Sequence, residues 1–408
     1  MKRRVVVTGM GMVSSLGHSV AAAYDRLKTP RNCVQASEDL AGYRGLRTRL
    51  WAPCGYVRPP EFTRKTVRTM SPVSELALFA TEQALAGAGL RDDPLVKGGR
   101  LGVAYGSCSG GVEANLDFAS ILANREVRNV TSSTYIKMMP QTAAVNLSVH
   151  YGTTGRILPT GTACTSGSLA IGVAYEQIAY GLQDAMIAGG AEEFSVTQIA
   201  IFDTLFATSC RNDTPELTPR AFDRGRDGLV IGDGAATLVL EEREHALARG
   251  ATVYAEVCGF GTNTDGRHVT QPNAETMAVA LKLALADAGV GPSAVGYVNL
   301  HGTATDLGDI AEGTATEAVF GPRAVPCSTL KSYTGHTLGA CGAIEAALTV
   351  EMMRGGWFAP NLNLVDPDPR CGELDLITGA GRRLDCEYAM SDNFAFGGVN
   401  TSLVFRRP

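Results

Sequence analysis

Apolar residues along this chain fall into short blocks of alternating helical and strand spacing, and the blocks come twice. Apolar positions at helical spacing run into Ala84-Leu-Ala-Gly-Ala-Gly-Leu90 and again into Ala284-Leu-Ala-Asp-Ala-Gly-Val290, each with a glycine suited to close a helix C-terminus. A loop and a strand follow each of them, Leu101 to Tyr105 and then Val295 to Leu300, and both strands run into a glycine-containing turn. Gly232-Asp-Gly-Ala-Ala-Thr-Leu-Val-Leu240 resembles Gly397-Gly-Val-Asn-Thr-Ser-Leu-Val-Phe405, a small-residue turn leading into a strand. The opening strand Arg4 to Val7 has its counterpart in Thr252 to Val257, just after the charged stretch Glu241 to Arg249. The repeat therefore predicts two α/β units, 1–250 and 251–408, packed so that loops at strand ends meet between them.

Composition narrows the class without changing this picture. At 408 residues, 45% hydrophobic and 19% charged, the chain can bury a substantial core, which excludes a disordered protein. A net charge of -5 argues against general nucleic-acid binding and leaves room for a local basic patch that docks an acidic partner. The opening MKRRVVVTGMGMVSSLG has basic residues and an apolar run, but glycines interrupt the run and no small-residue cleavage site follows, so it reads as a strand and its turn. No stretch reaches the roughly 18 uninterrupted apolar residues of a membrane span, and a cytoplasmic protein is expected. The ten cysteines contain no C-x-x-C pair, so a zinc or redox site and a disulfide framework are not expected; most of the thiols read as small buried side chains.

One cysteine stands apart. In Pro159-Thr-Gly-Thr-Ala-Cys164-Thr-Ser, small residues surround the thiol, and apolar positions 169, 171, 173, 174 and 178 then trace a helix. Cys164 is thus placed near a helix N-terminus, where unpaired amides favour a thiolate and can hold an oxyanion. In the second half, Asn299-Leu-His301-Gly-Thr-Ala-Thr delivers a histidine from a strand to a glycine turn, and Cys327-Ser-Thr-Leu-Lys331-Ser-Tyr-Thr-Gly-His336 opens a second small-residue helix. By the repeat, His336 falls where Cys164 stands in the first half. Two related loops meeting across a pseudo-twofold would bring nucleophile and histidine together, with His301 and Lys331 beside them. Asn393-Phe-Ala-Phe396-Gly-Gly-Val-Asn400 adds a glycine turn whose amides could form half of an oxyanion hole.

Together with Arg4-Val-Val-Val-Thr-Gly-Met-Gly and Phe222-Asp-Arg-Gly-Arg-Asp-Gly-Leu-Val, these segments resemble β-ketoacyl-acyl-carrier-protein synthases I and II of the thiolase-like condensing enzymes, over essentially the whole chain. The resemblance implies an α/β fold of five layers, αβαβα, a dimer, and thioester substrates carried on the phosphopantetheine arm of an acyl carrier protein, with no further cofactor and no metal. It implies that Cys164 takes the acyl group, with the amides of Cys164 and Phe396 as oxyanion hole, and that His301 and His336 stabilise the enolate formed as malonyl-carrier loses carbon dioxide. Lys331 would pair with Glu312, Thr303 and Thr305 would bind the pantetheine arm, and Phe394 and Phe396 would gate the acyl pocket. Carrier docking would fall to Arg64, Lys65 and Arg68, then to Arg125 and Arg128.

Three departures are expected to matter. Ala395 stands where the family has glycine, which would stiffen the gate; Asp306 replaces a proline; and Ser109, small, would leave the acyl pocket open. They raise the alternative of the catalytic subunit of a type II polyketide or polyene system, paired with a chain-length-factor subunit in place of a homodimer. A thiolase would need a second cysteine where Phe396 stands, an initiating synthase an asparagine in its Cys-His-Asn set, and a silent chain-length subunit would lack Cys164.

Overall fold

A computed structural model describes residues 2–128 and 130–408. The β-branched run at the N-terminus forms β1 (Val5–Val13), which shares one eleven-stranded sheet with β2 (Leu101–Gly106), β3 (Ile157–Thr160), β4 (Ala185–Glu192) and β5 (Gly234–Glu242) from the same part of the chain. The later part adds β6 (Ala255–Thr264), β7 (Val295–Asn299), β8 (Pro326–Ser328), β9 (Asp375–Leu376), β10 (Tyr388–Phe394) and β11 (Val399–Arg406). The sheet order is β9-β8-β7-β10-β11-β6-β1-β5-β4-β2-β3. Outward from the centre, one side reads β1, β5, β4, β2, β3 and the other β6, β11, β10, β7, β8. On both sides the first two pairings are antiparallel and the next two parallel. Within the sheet the two sides meet where Val5, Val6 and Val7 pair antiparallel with Val257, Glu256 and Ala255.

Six helices complete five layers. Helices α1 (Pro72–Ala88) and α2 (Thr142–Tyr151) cover the outer face of the first side, and α4 (Ala274–Ala288) and α5 (Asp306–Phe320) that of the second. Between the sides, α3 (Ser166–Ala179) and α6 (Cys341–Gly355) pack on each other and on strands of both. This middle layer is apolar nearly all round, as a helix buried on every side must be. In α6 every residue from Cys341 to Val350 is buried, and Glu345 is the one charged group among them. The ten cysteines are free thiols, six of them buried.

Residues two apart on a strand and four apart on a helix share a face, which explains a pairing found in both halves. Gly9 and Gly11 of β1 face Ala80, Ala84 and Ala88 of α1; Gly259 and Gly261 of β6 face Ala280, Ala284 and Ala288 of α4. A Cβ on Gly11 would stand 2.0 Å from the Ala80 carbonyl oxygen, and one on Gly261 would stand 2.2 Å from that of Ala280. Helix and strand approach this closely because the strand carries no side chain there and the helix faces it chiefly with alanines. The second strand begins at Ala255, three residues later than the sequence pattern places it.

Gly261→Ala is expected to destabilise the protein by about 1–3 kcal/mol or more, since the clash is with backbone. Gly87→Ala, in the same kind of helix but with open space around its Cβ, is expected to stabilise by about 0.5–1 kcal/mol. Urea denaturation of the two variants, followed by tryptophan fluorescence and circular dichroism, checks both signs.

Candidate active site

Loops leaving the C-terminal ends of the parallel strands of both sides converge above the middle layer. After β3, Ala163 takes the left-handed conformation at φ 50° and starts a single 3-10 turn, Ala163–Thr165, from which α3 follows. Cys164 lies within this turn, 4% exposed, with the amides of Phe396 and of Cys164 itself directed at its sulfur. Burial pushes the thiol up to about 11, while Lys331 and those two amides pull in the opposite direction.

His336 follows Gly335, whose φ of 66° and lack of a Cβ let the chain pass the Val230 carbonyl. The backbone of His336 then donates to Val230 O at 2.6 Å and accepts from Gly232 N at 2.9 Å, which fixes the residue against the strand that continues Phe222-Asp-Arg-Gly-Arg-Asp-Gly. Its Nδ1 accepts from the Leu338 amide at 3.2 Å, so the ring proton sits on Nε2, 3.0 Å from Cys164 Sγ. His301 is set in the same tautomer by different donors. Lys331 Nζ at 3.1 Å and Asn393 Nδ2 at 3.2 Å both approach its Nδ1, which leaves Nε2 to carry the proton. The two rings stand perpendicular with centroids 5.2 Å apart. Burial, and then the Lys331 charge, hold both imidazoles well below the usual histidine range, so both are neutral at pH 7.

Two expected relations are corrected here. Lys331 pairs with Glu345, Nζ to Oε1 at 2.5 Å, and not with Glu312. Glu312 instead accepts from the amides of His301 at 2.5 Å and Gly302 at 2.7 Å, holding the turn that carries the histidine, and burial pushes its carboxyl up to about 8. The repeat register is also different. The left-handed residue that opens the equivalent 3-10 turn of the second half is Leu338, at φ 49°, and the turn is Leu338–Ala340. Gly339 therefore corresponds to Cys164, and His336 reaches the sulfur from three residues earlier.

A cavity of about 500 Å³ opens onto these groups and is lined by Cys164, His301, His336, Thr303, Thr305, Phe394 and Phe396 among others. Thr303 and Thr305 bring their hydroxyls within 2.9 Å because Ala304 between them is left-handed at φ 65°, a turn held by the Asp309 carboxylate on the Ala304 amide. Phe396 packs on Phe202, and its loop is tied down by the Gly397 amide on the Val269 carbonyl at 2.7 Å. Ala395 is outside the left-handed region, so its methyl group meets no backbone strain. Asp306 takes the first position of α5, where the helix dipole favours an acid, and pairs with Arg226 and Arg370.

Ser109 is not brought to this cavity. Its amide donates to Glu192 and its hydroxyl accepts from Gln198 Nε2 at 3.2 Å. Arg64, Lys65 and Arg68 are exposed on a turn segment and form no ion pair among the described residues, whereas Arg128 pairs with Glu126. Atoms of metal-ligand type gather within 4.8 Å of one another in Cys164, His301 and His336, and in His301, Cys341 and Glu345. Lys331 Nζ, bonded to both His301 and Glu345, already supplies the positive charge there.

The models of the beta-ketoacyl synthase N-terminal and C-terminal domains match residues 2–246 and 254–365. The 3-oxoacyl-[acyl-carrier-protein] synthase 2 of Vibrio harveyi is 39% identical over 416 residues, covering 100% of this chain and 99% of that protein. The chain belongs to the β-ketoacyl synthase family. A crystal structure of a beta-ketoacyl synthase from Burkholderia phymatum STM815 superposes with a TM-score of 0.98 at 56% identity, covering both chains fully. A ketosynthase solved in complex with its type II PKS acyl-carrier protein, AntDE:AntF, superposes at 0.89 with 31% identity, again over 100% of each chain. The thiolase-like fold of five layers is shared with these structures.

In this β-ketoacyl synthase the supporting groups are the part the motifs leave unassigned. Asn393 bridges His301 Nδ1 and Glu345 Oε2, the latter at 2.7 Å. Glu192 accepts from the amides of Cys108 and Gly339 at 2.7 and 3.1 Å, tying the loop after β2 to the Leu338–Ala340 turn. Its signal in the sequence was an acid closing the otherwise uncharged strand Ala185-Met-Ile-Ala-Gly-Gly-Ala-Glu192.

Alkylation of Cys164 by iodoacetamide, read by peptide mass, is expected to rise roughly tenfold per pH unit from about pH 7 to 9.5, with no plateau because burial pushes the thiol up to about 11. Lys331→Met combined with Glu345→Gln removes the opposing cation without leaving a buried carboxylate unpaired. That double variant is expected to react more slowly throughout the range.

Proposed function

We propose that the chain is an elongating β-ketoacyl-acyl-carrier-protein synthase, and the observation that carries this reading is the pair of neutral Nε2–H imidazoles set beside one cysteine. Cys164 Sγ attacks the thioester carbonyl of an acyl-carrier, its proton passes to the departing carrier thiol, and the amides of Cys164 and Phe396 hold the oxyanion. Malonyl-carrier then binds with its thioester carbonyl accepting from Nε2–H of His301 and His336. Cleavage of the bond to the carboxylate releases carbon dioxide and leaves the electron pair in the enolate those donors stabilise. The enolate carbon attacks the acyl carbonyl on Cys164, a carbon–carbon bond forms, and the sulfur leaves to be reprotonated.

The charge states suit this sequence. An imidazolium would hold the malonyl carboxylate as an ion pair and resist its loss, whereas a neutral imidazole polarises the carbonyl without stabilising the carboxylate. Both histidines are kept neutral by burial and by Lys331. Thr303 and Thr305 are assigned to the amides of the pantetheine arm. Arg64, Lys65 and Arg68, exposed and without ion-pair partners among the described residues, are assigned to the acidic carrier protein. The enzyme acts as a homodimer in fatty-acid chain elongation.

Incubation with saturated and polyunsaturated acyl-carriers, followed by malonyl-carrier and intact mass, tests the assignment. Cys164→Ala is expected to abolish loading; His301→Ala and His336→Ala are expected to load normally and lose condensation by about 10²–10⁴-fold. Condensation at wild-type rate in either histidine variant would overturn its role. Loading confined to polyunsaturated chains would move the enzyme from fatty-acid elongation to a polyene pathway.

A further inference from the structure

A buried polar side chain stands in the apolar packing around the nucleophile with one half of its amide unused. Gln198, 5% exposed, belongs to the helix Val196–Thr204, whose buried face also carries Ile199 and Phe202. Ile199 and Phe202 pack in one apolar cluster with Cys164 and Leu338, and Cys108 and Phe396 lie against it. Gln198 shares a face with Phe202 and stands one helical turn before it, about 5.4 Å of rise.

The amide is oriented by its surroundings. Its Nε2 donates to Glu192 Oε1 at 3.1 Å and to Ser109 Oγ at 3.2 Å. Glu192 also accepts from the amides of Cys108, Ser109 and Gly339, so it presents acceptors and the nitrogen of Gln198 must face it. The amide oxygen is thereby turned away, and it has no hydrogen-bond donor among the described residues. An amide oxygen taken out of water without a donor costs free energy, a cost that a methionine at this position would avoid. Beside it the Ser109 hydroxyl, having accepted from Gln198, keeps a proton with no acceptor among the described residues. One free acceptor next to one free donor matches a single hydroxyl group, which is neutral and so less costly to bury than an ammonium.

We propose that Gln198 and Ser109 select acyl chains that carry a hydroxyl group near their far end, the hydroxyl donating to Gln198 Oε1 and accepting from Ser109. This rests on the proposed function, in which the acyl chain stays on Cys164 while a second pantetheine arm enters through the cavity mouth. The chain therefore lies on the other side of the sulfur, along Phe202 and Ile199, on a helix face whose first buried residue is Gln198. A chain ending in a methyl group would press that methyl against the amide oxygen and leave it unpaired; a hydroxyl-ended chain satisfies it.

Loading of Cys164 is followed by intact mass with pairs of acyl-carriers of equal heavy-atom count, one ending in a hydroxyl and one in a methyl group, over a series of chain lengths. Condensation with malonyl-carrier is followed on the same samples. At the length that reaches Gln198, wild-type enzyme is expected to load the hydroxyl-ended chain with a kcat/KM roughly 10- to 100-fold higher. Gln198→Met is expected to load the methyl-ended chain at least as fast as its hydroxyl-ended counterpart, and Ser109→Ala to keep the preference at a smaller size. Wild-type enzyme that loads both ends equally at every length would overturn the proposal without recourse to any variant. Equal losses with both chains in Gln198→Met would make the residue a support for Glu192 alone and overturn it too. Preferential loading of hydroxyl-ended chains without condensation would overturn the proposed function and leave the hydroxyl site standing; no loading of any chain would overturn both.

Discussion

The site depends on an ammonium group that water does not reach. The Lys331 side chain is 1% exposed and its partner Glu345 is 3% exposed. Burial works against the lysine's charge; the Glu345 carboxylate, by its attraction and its hydrogen bond, outweighs it, so the cation persists. From its place between Glu345 and His301 it does three things at once. It occupies His301 Nδ1, which leaves the ring proton on Nε2; it holds both imidazoles neutral; and it opposes the burial that raises the Cys164 thiol. A buried pair of this kind is weak evidence of stability, because desolvation consumes most of its attraction. Its return here is in protonation states, which a pair of hydrophobic residues of equal volume could not set.

Much of this was legible in the sequence, and the remainder was not for identifiable reasons. Cys164, His301 and Phe396 each sit where a strand gives way to a small-residue turn, and His336 follows the glycine that ends the helical turn Lys331–Thr334; such turns are readable because glycine and alanine are the residues that permit them. The partner of Lys331 is not readable because Glu312 and Glu345 both lie on helices near the right loops, and spacing does not say which face of a helix looks inward. The structure answers that: Glu345 lies in a helix buried on all sides, where an acid must find a cation, whereas Glu312 finds two amides at the start of the neighbouring turn. Asn393 lies within a motif segment, but nothing in its spacing reveals that it reaches from the end of β10 to His301 on the loop after the neighbouring strand β7. The same holds for Ser109: a small side chain signals space, but Glu192 and Gln198, distant in sequence, fold back to bond it.

Aligning the halves by their conspicuous residues places cysteine opposite histidine, but backbone geometry aligns the left-handed Ala163 with the left-handed Leu338. The halves thus repeat a turn and not a set of reactive groups. Each turn presents its following amides at the head of a buried helix, and what the second residue of the turn carries is free to differ.

That freedom is limited on one side. In the first half the residue is Cys164, with its side chain in the cavity. In the second it is Gly339, where a Cβ would stand 2.7 Å from Glu192 Oε2 and 2.8 Å from the Cys108 amide. Any side chain there would displace the carboxylate that ties the loop after β2 to the Leu338–Ala340 turn. One turn can carry a nucleophile because its symmetry mate gives up its side chain to make room for the support. Duplication supplied two equivalent turns, and close packing between them, more than any property of cysteine, decides that only one bears the reactive group.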